Sequence, residues 1–467
     1  MRRFALAAIA ILLMSATPAH ADVISDWNQN TIEVLKAGNV LGNPWSRAMA
    51  MVHVAMSDAV NSVQPRYTRY VATAPVAPNV SPEAAAVSAA RHILIQVAPA
   101  QKSRIDEMYA DSLSRIADGA AKTDGIALGE QVAALIQSDR ATDLTNAPDT
   151  YRPITAPGVW VPTQPPLFPQ YAQAKPWGMK SADQFRPGPP PQLTSAVYAR
   201  DYNETKELGG TKSTKRTPQQ TDAVRFWTQL NFGPSWNEAA RQLSAWKGLN
   251  VAENARVFAL LNIGIANTFI ADWDAKFHYN FWRPVTAIRN GDMDGNDATE
   301  RDAGWTPLNA TPMHPEYPSQ AAIQAGAALG VLESVFGPGP VSGVHGDGYR
   351  RSAPAAAVHQ SRANGRRATL GARVGGHPLP QHAGGQRADG PKDRRASARH
   401  LHDAGAVKSA DHAKRTRSRR HRAHGAGTSG GEPGPIRAAR RRHAQGGATR
   451  GDDRPGSRDA LSAVRSG

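Results

Sequence analysis

The sequence predicts an all-α helical bundle followed by a disordered basic tail. Three observations carry that expectation. Apolar residues recur at three- and four-residue spacing in one segment after another, and no credible run alternates apolar and polar residues as a half-buried strand would. Segments between those runs are rich in Pro, Gly and Asn, which end helices. The charge is also divided. Residues 344–467 carry 26 Lys and Arg against 9 Asp and Glu, so the whole +16 of the 467-residue chain lies there, and residues 1–343 are close to neutral.

Residues 1–21, MRRFALAAIAILLMSATPAHA, have the three parts of a secretory signal peptide. Arg2 and Arg3 form the charged start, Phe4 to Met14 the apolar core, and Ala19-His20-Ala21 a small-x-small cleavage site. The apolar run is too short to span a bilayer. The mature chain is expected to begin near Asp22, exported to the periplasm or the medium. No later stretch reads as apolar for long enough to cross a membrane. The chain has no Cys, so an oxidising compartment brings it no disulfides.

Residues 25–65 show helical spacing around a Gly42-Asn43-Pro44 break. The run after Ser81 opens with Pro82 at the first helical position and Glu83 close behind, a helix start. KSRIDEMYADSLSRI and DGIALGEQVAALIQSDRA continue the period. His53 and His92 sit within such runs and read as packed or solvated residues. Residues 147–193 change character, combining many Pro with Trp, Tyr and Phe. Pro at that density forbids helix. The aromatics argue against a disordered linker and for an ordered segment wrapped over the bundle, as a channel wall would be. Helices resume at residues 195–209, 217–231 and 236–248, and a long one runs from Asn250 to Arg283.

The stretch from Lys276 to Ser319 carries the chemistry. Lys276 and Arg283 are seven residues apart, close to two helical turns, so they are expected on one helix face amid Phe277, Tyr279, Phe281 and Trp282. Pro318-Ser319 forms a turn into the apolar run AAIQAGAALGVLESVF. Ser319 would then stand at a helix N-terminus, where free N–H groups and the dipole favour an anion. Two fixed cations, a hydroxyl and backbone donors are what holds a phosphate- or vanadate-like oxyanion. Between these parts DMDGND, residues 292–297, has oxygen-bearing side chains at alternate positions. Its Gly and Glu miss the places a calcium loop needs, so it reads as a plain acidic turn.

These residues resemble the vanadium-dependent haloperoxidase and type 2 phosphatidic acid phosphatase superfamily. Its pattern is K-x6-R-P, then P-S-x-H, then S-R-x5-H. Lys276, Arg283 and Pro284 complete the first part, and WRPVTAIR with HPEYPS resembles the exported haloperoxidase-like branch. The second part is broken, because Ala321 stands where the family has its acid–base His. The third is absent in register. The resemblance implies a helical bundle in which vanadate, with phosphate as a competitor, is held by Lys276, Arg283 and Ser319. His314 and Glu316 are possible supports around them. It implies either oxidation of halide by vanadate-bound peroxide, or phosphate-ester hydrolysis through a phospho-His. With the motif histidines missing, little or no turnover is expected. A non-catalytic oxyanion-binding protein is the reading from another class.

The tail has 10 of the 15 His and none of the 10 Trp. It cannot bury a core. One reading makes it a polyanion-binding arm, although no aromatics interleave its charges and no nucleic-acid recognition module appears. The other makes it a frameshift product of GC-rich DNA. Read one base later, Leu370 to His382 can encode S-A-R-V-W-G-G-I-H-F-R-N. That string contains the missing R-x5-H, with its Arg codon spanning Ala372 and Arg373 and its His codon spanning Pro378 and Leu379. On this reading residues 22–343 are the haloperoxidase-like domain with its C-terminal helices missing, and poor folding is expected.

Overall fold

The computed structural model describes residues 22–71, 76, 79–229 and 232–338. The expected signal peptide (1–21), the basic tail (344–467) and the frame-shifted R-x5-H lie outside the described residues. Among the described residues there are eleven α-helices and no strand, only isolated antiparallel bridges pairing Val159 with Phe281 and Gly210 with Pro307.

Helix α1 (Val23–Ala37) is capped by Asp22, whose side chain accepts from the backbone N–H of Ser25. Helix α2 (Gly42–Val63) follows. The expected break at Gly42-Asn43-Pro44 falls earlier, at Gly38 to Leu41, with Asn39 at φ 53°. Pro44 instead sits in the first turn of α2, where its missing N–H has no helical partner to lose. Helices α3 (Pro82–Val97), α4 (Lys102–Ser114) and α5 (Ala120–Arg140) complete the first half. Ser81 caps α3 by accepting from Ala84 N, with Pro82 leading the helix.

Helices α3 and α5 pack together because α3 is rich in Ala and α5 turns two glycines toward it. A Cβ on Gly125 would lie 2.6 Å from the Ser81 carbonyl oxygen, and one on Gly129 only 2.2 Å from that of Ala85. No side chain fits at that distance, so glycine sets how closely the two backbones approach.

The second half comprises α6 (Ala196–Gly209), α7 (Pro218–Gln229), α8 (Phe232–Lys247), α9 (Val251–Tyr279), α10 (Pro284–Arg289) and α11 (Gln320–Phe336). Helix α9 is the centre. A capping box between Asn250 and Glu253 starts it, and it packs against α2 on one side and α11 on another. The sequence reading found no later stretch apolar enough to cross a membrane. By length and composition α9 is such a stretch, and 72% of its most apolar window is buried inside the protein. Its apolarity is used by the core of the bundle.

Several polar groups in that core pair across helices. Asn28 of α1 bridges His53 of α2 (2.9 Å) and Asn237 of α8 (2.7 Å), and Asn237 exchanges hydrogen bonds with Asn262 of α9. Burial holds the His53 pKa down at about 3, so this residue is a neutral packed imidazole. His92 lies at the edge, its ring nitrogens meeting Glu130 and Gln137.

The Pro-rich segment runs over the bundle without regular helix apart from a short 3₁₀ turn, Pro169–Gln173. Trp160 and Trp177 are buried. Trp160 N donates to Asn280 O, and Trp177 N to the Asn267 side chain. Further along, the Tyr279 and Tyr317 hydroxyls donate to Pro187 O and Gly188 O. Residues 292–297 form a turn in which Asp294 accepts from Asn296 N and the Thr299 hydroxyl, so its carboxylate stitches the loop.

Gly129→Ala tests the close approach. Ala is the better helix former, worth about 1 kcal/mol in an exposed helix. Here the clash with Ala85 O dominates, and chemical denaturation is expected to show a loss of about 1–3 kcal/mol. Unchanged or raised stability would contradict the packing described.

Candidate functional site

Lys276 and Arg283 do not share a helix. Helix α9 ends at Tyr279, and Asn280 adopts the left-handed conformation (φ 46°) with its N–H on the Lys276 carbonyl. Asn tolerates that conformation, which terminates a helix by turning the chain away. Phe281 and Trp282 then run extended, pinned by Trp282 N on Gly158 O and by the Val159 bridge. Arg283 follows as the N-cap of α10. The two cations therefore share no helix face, yet they still converge, because the turn brings both onto one loop, residues 314–318.

That loop lies between the two motif segments in space. Glu316 N donates to Phe281 O, which docks the loop on the extended strip. Lys276, 1% exposed, donates from Nζ to Glu316 O at 2.9 Å and to Pro318 O. Arg283, 2% exposed, donates from Nε to His314 O (2.7 Å), from Nη1 to Glu316 Oε2 (2.5 Å) and from Nη2 to His314 Nδ1 (2.8 Å). His314 also packs its ring 4.9 Å from that of Trp273. The Tyr317–Pro318 peptide is cis, and Ser319 beyond it is buried.

Ser319 is the N-cap of α11, as its position in the sequence suggests, and its hydroxyl accepts from Ala322 N at 3.4 Å. Ala321, half-buried, lies in the first turn of that helix. His314 and Glu316, expected only as possible supports, are direct partners of Arg283.

The sequence reading missed Asp272. It is fully buried on α9, 3.7 Å from Lys276 Nζ, and neither of its carboxylate oxygens has a hydrogen-bond partner among the described residues. The signal was present: an Asp four residues before a Lys on an apolar helix is an ion-pair spacing. Burial raises the Asp272 pKa to about 7 against the pull of Lys276 and Arg283. Burial likewise lowers Lys276 to about 8, with Asp272 opposing. Glu316 is pushed up by burial and held back chiefly by Arg283, while Arg283 is pushed down by its own burial.

The sequence family described as VCPO second helical-bundle domain matches residues 256–375, a span that begins in α9, contains this cluster and runs into the segment read as out of frame. The vanadium chloroperoxidase of Curvularia inaequalis is 23% identical over 394 residues, which is 66% of this chain and 65% of that protein. The structure described as the first bacterial vanadium-dependent iodoperoxidase superimposes with a TM-score of 0.66 at 21% identity, over 82% of this chain and 95% of that one. A holo-type bacterial vanadium-dependent chloroperoxidase gives 0.61 at 16% identity, over 78% and 94%. The chain is similar to the vanadium haloperoxidase superfamily in the sequence of residues 256–375 and in fold. It spans 65% of the length of the curated relative.

The superfamily implies vanadate, and the donor types suit an oxyanion. Their state does not. Every nitrogen of Arg283 and the Lys276 ammonium already has an acceptor from this chain, and two carboxylates, Asp272 and Glu316, stand within the cluster. A further anion would have to share these donors with the chain's own acceptors and would sit beside two carboxylates in a buried place. The described residues therefore do not fit vanadate as they are arranged.

Lys276→Met tests what the cluster does for the fold. It strands Asp272 and removes the donor shared by two carbonyls. Equilibrium unfolding is expected to show a loss of about 3–5 kcal/mol, the cost of a broken buried pair. A loss below about 1 kcal/mol would show that the contacts contribute nothing beyond packing.

Proposed function

We propose that this chain is an exported, vanadium haloperoxidase-like protein whose own halide-oxidising chemistry is impaired. Ala321 carries the reading. It occupies the place of the superfamily pattern's acid–base His, in the first turn of the helix that Ser319 caps. A methyl group neither gives nor accepts a proton, so proton transfer at that position is lost. Lys276, Arg283 and Ser319 correspond to the oxyanion-holding residues, and their engagement with residues 314–318 and Ala322 supports the same conclusion. His314 is a poor substitute base, because both its ring nitrogens face Arg283 Nη2, at 2.8 and 3.3 Å, and the guanidinium charge opposes its taking a proton.

The residues present stabilise the loop and leave the reaction without its proton carrier. In this chain Lys276 and Arg283 orient the loop and α11, and Ser319 caps that helix.

The test is halide oxidation by the mature chain given vanadate, peroxide and bromide or iodide. The expected rate is that of free vanadate alone. Protein-dependent turnover near or above about 1 s⁻¹, an ordinary enzymatic rate, would overturn the reading.

A further inference from the structure

We infer that the small cavity between α6, Trp282 and Glu316 is a binding site for one ordered water molecule, which partners the second carboxylate oxygen of Glu316 and ties α6 to the Lys276–Arg283 cluster. The inference goes beyond the functional reading above and does not depend on it.

The walls come from three parts of the chain. Tyr198 and Thr205 are seven residues apart on α6, close to two turns, so they share its inward face. Trp282 comes from the extended strip after α9, and Glu316 from the loop before α11. All four are at most 2% exposed. They line one cavity, whose other walls include Phe281, Ala287 and Ile288. The Tyr198 hydroxyl, Thr205 Oγ1, Trp282 Nε1 and Glu316 Oε1 are each buried without a hydrogen-bond partner among the described residues. The Tyr202 hydroxyl, also in the lining, is already engaged with Glu300 O at 2.8 Å and Ile288 O at 3.3 Å. Glu316 Oε2 is likewise taken, by Arg283 Nη1.

Buried polar atoms left unpaired are costly, and several of them around one void are the setting in which proteins hold internal water. The Tyr198 hydroxyl lies near the Trp282 indole and the Asp294 carboxylate yet is hydrogen-bonded to neither, so the gap is of the kind that a water closes. Size agrees with this. The cavity measures about 10 Å³, room for about one water molecule. So does chemistry. Trp282 Nε1 only donates and a carboxylate oxygen of Glu316 only accepts, while the Tyr198 and Thr205 hydroxyls do either. Water has two protons to give and two lone pairs to offer. One molecule accepts from Trp282 and Tyr198 and donates to Glu316 and Thr205, which uses all four bonds. A cation there would face the Trp282 N–H and an anion the Glu316 carboxylate, so a small neutral molecule is the class that fits.

Two measurements on the native full chain test this. A high-resolution crystal structure should show one water oxygen within about 3.2 Å of Glu316 Oε1 and of at least two among Trp282 Nε1, Tyr198 Oη and Thr205 Oγ1. In solution, the Trp282 indole proton, identified by its loss from the spectrum of Trp282→Phe, should give a nuclear Overhauser cross-peak to water with the sign of a long-lived contact. Ala287→Val adds two methyl groups to the cavity wall and is expected to abolish that cross-peak. Direct pairing of Trp282 or Tyr198 with Glu316 Oε1, with no density between them, would overturn the inference, and so would a larger molecule in the cavity. A native Trp282 indole without a water cross-peak would do the same and needs no folded variant. A cross-peak that survives in folded Ala287→Val would place the water elsewhere and also overturn it.

Discussion

The ion pair between Arg283 and Glu316 is the constraint on which the rest of the site depends. Buried charges are tolerated only when each finds a partner, and here each partner comes from a different part of the chain. Arg283 begins α10, Glu316 belongs to the loop before α11, and Lys276 ends α9. Three helices are therefore held at one point. The Pro-rich segment closes over the same point, with Trp160, Pro187 and Gly188 bonded to Asn280, Tyr279 and Tyr317. A site for oxyanion chemistry needs donors held rigidly from several elements. In this chain the donors of Lys276 and Arg283 are bonded to residues 314–318.

Much of the fold was legible because its helices are amphipathic or apolar at helical period and its caps are chemically explicit. Ser81, Asn250 and Ser319 each accept from a backbone N–H in the first turn of their helix. The end of α9 was not legible. Large apolar and aromatic residues keep recurring from Phe269 to Trp282 with no Pro or Gly between them, and Asn280, in the left-handed conformation, turns the chain. Propensity cannot decide that, since Asn is unremarkable inside a helix until tertiary contacts choose otherwise. The break changes the argument for the site: Lys276 and Arg283 meet by chain reversal, where the sequence had suggested a shared face.

The site residues were named from a motif, and a motif says which donors are present without saying whether they are free. Glu316 illustrates the difference. From sequence it is a Glu in a Pro-rich turn. In the structure its carboxylate sits on the arginine that the motif assigns to an anion. Asp272 was overlooked because a carboxylate inside an apolar helix has no meaning until its neighbour four residues on is seen to be buried too. Likeness of fold to vanadium haloperoxidases is compatible with this divergence, because chemistry resides in the site and the scaffold carries it.

The most direct test is a double-mutant cycle between Arg283→Met and Glu316→Gln, read by equilibrium unfolding. If the pair is the anchor, each single change leaves a buried partner uncompensated, and the double variant recovers much of the loss. The coupling energy is then expected to be about 2–3 kcal/mol. Additive losses, with coupling below about 0.5 kcal/mol, would show that Arg283 and Glu316 are held by their surroundings independently and would contradict the account.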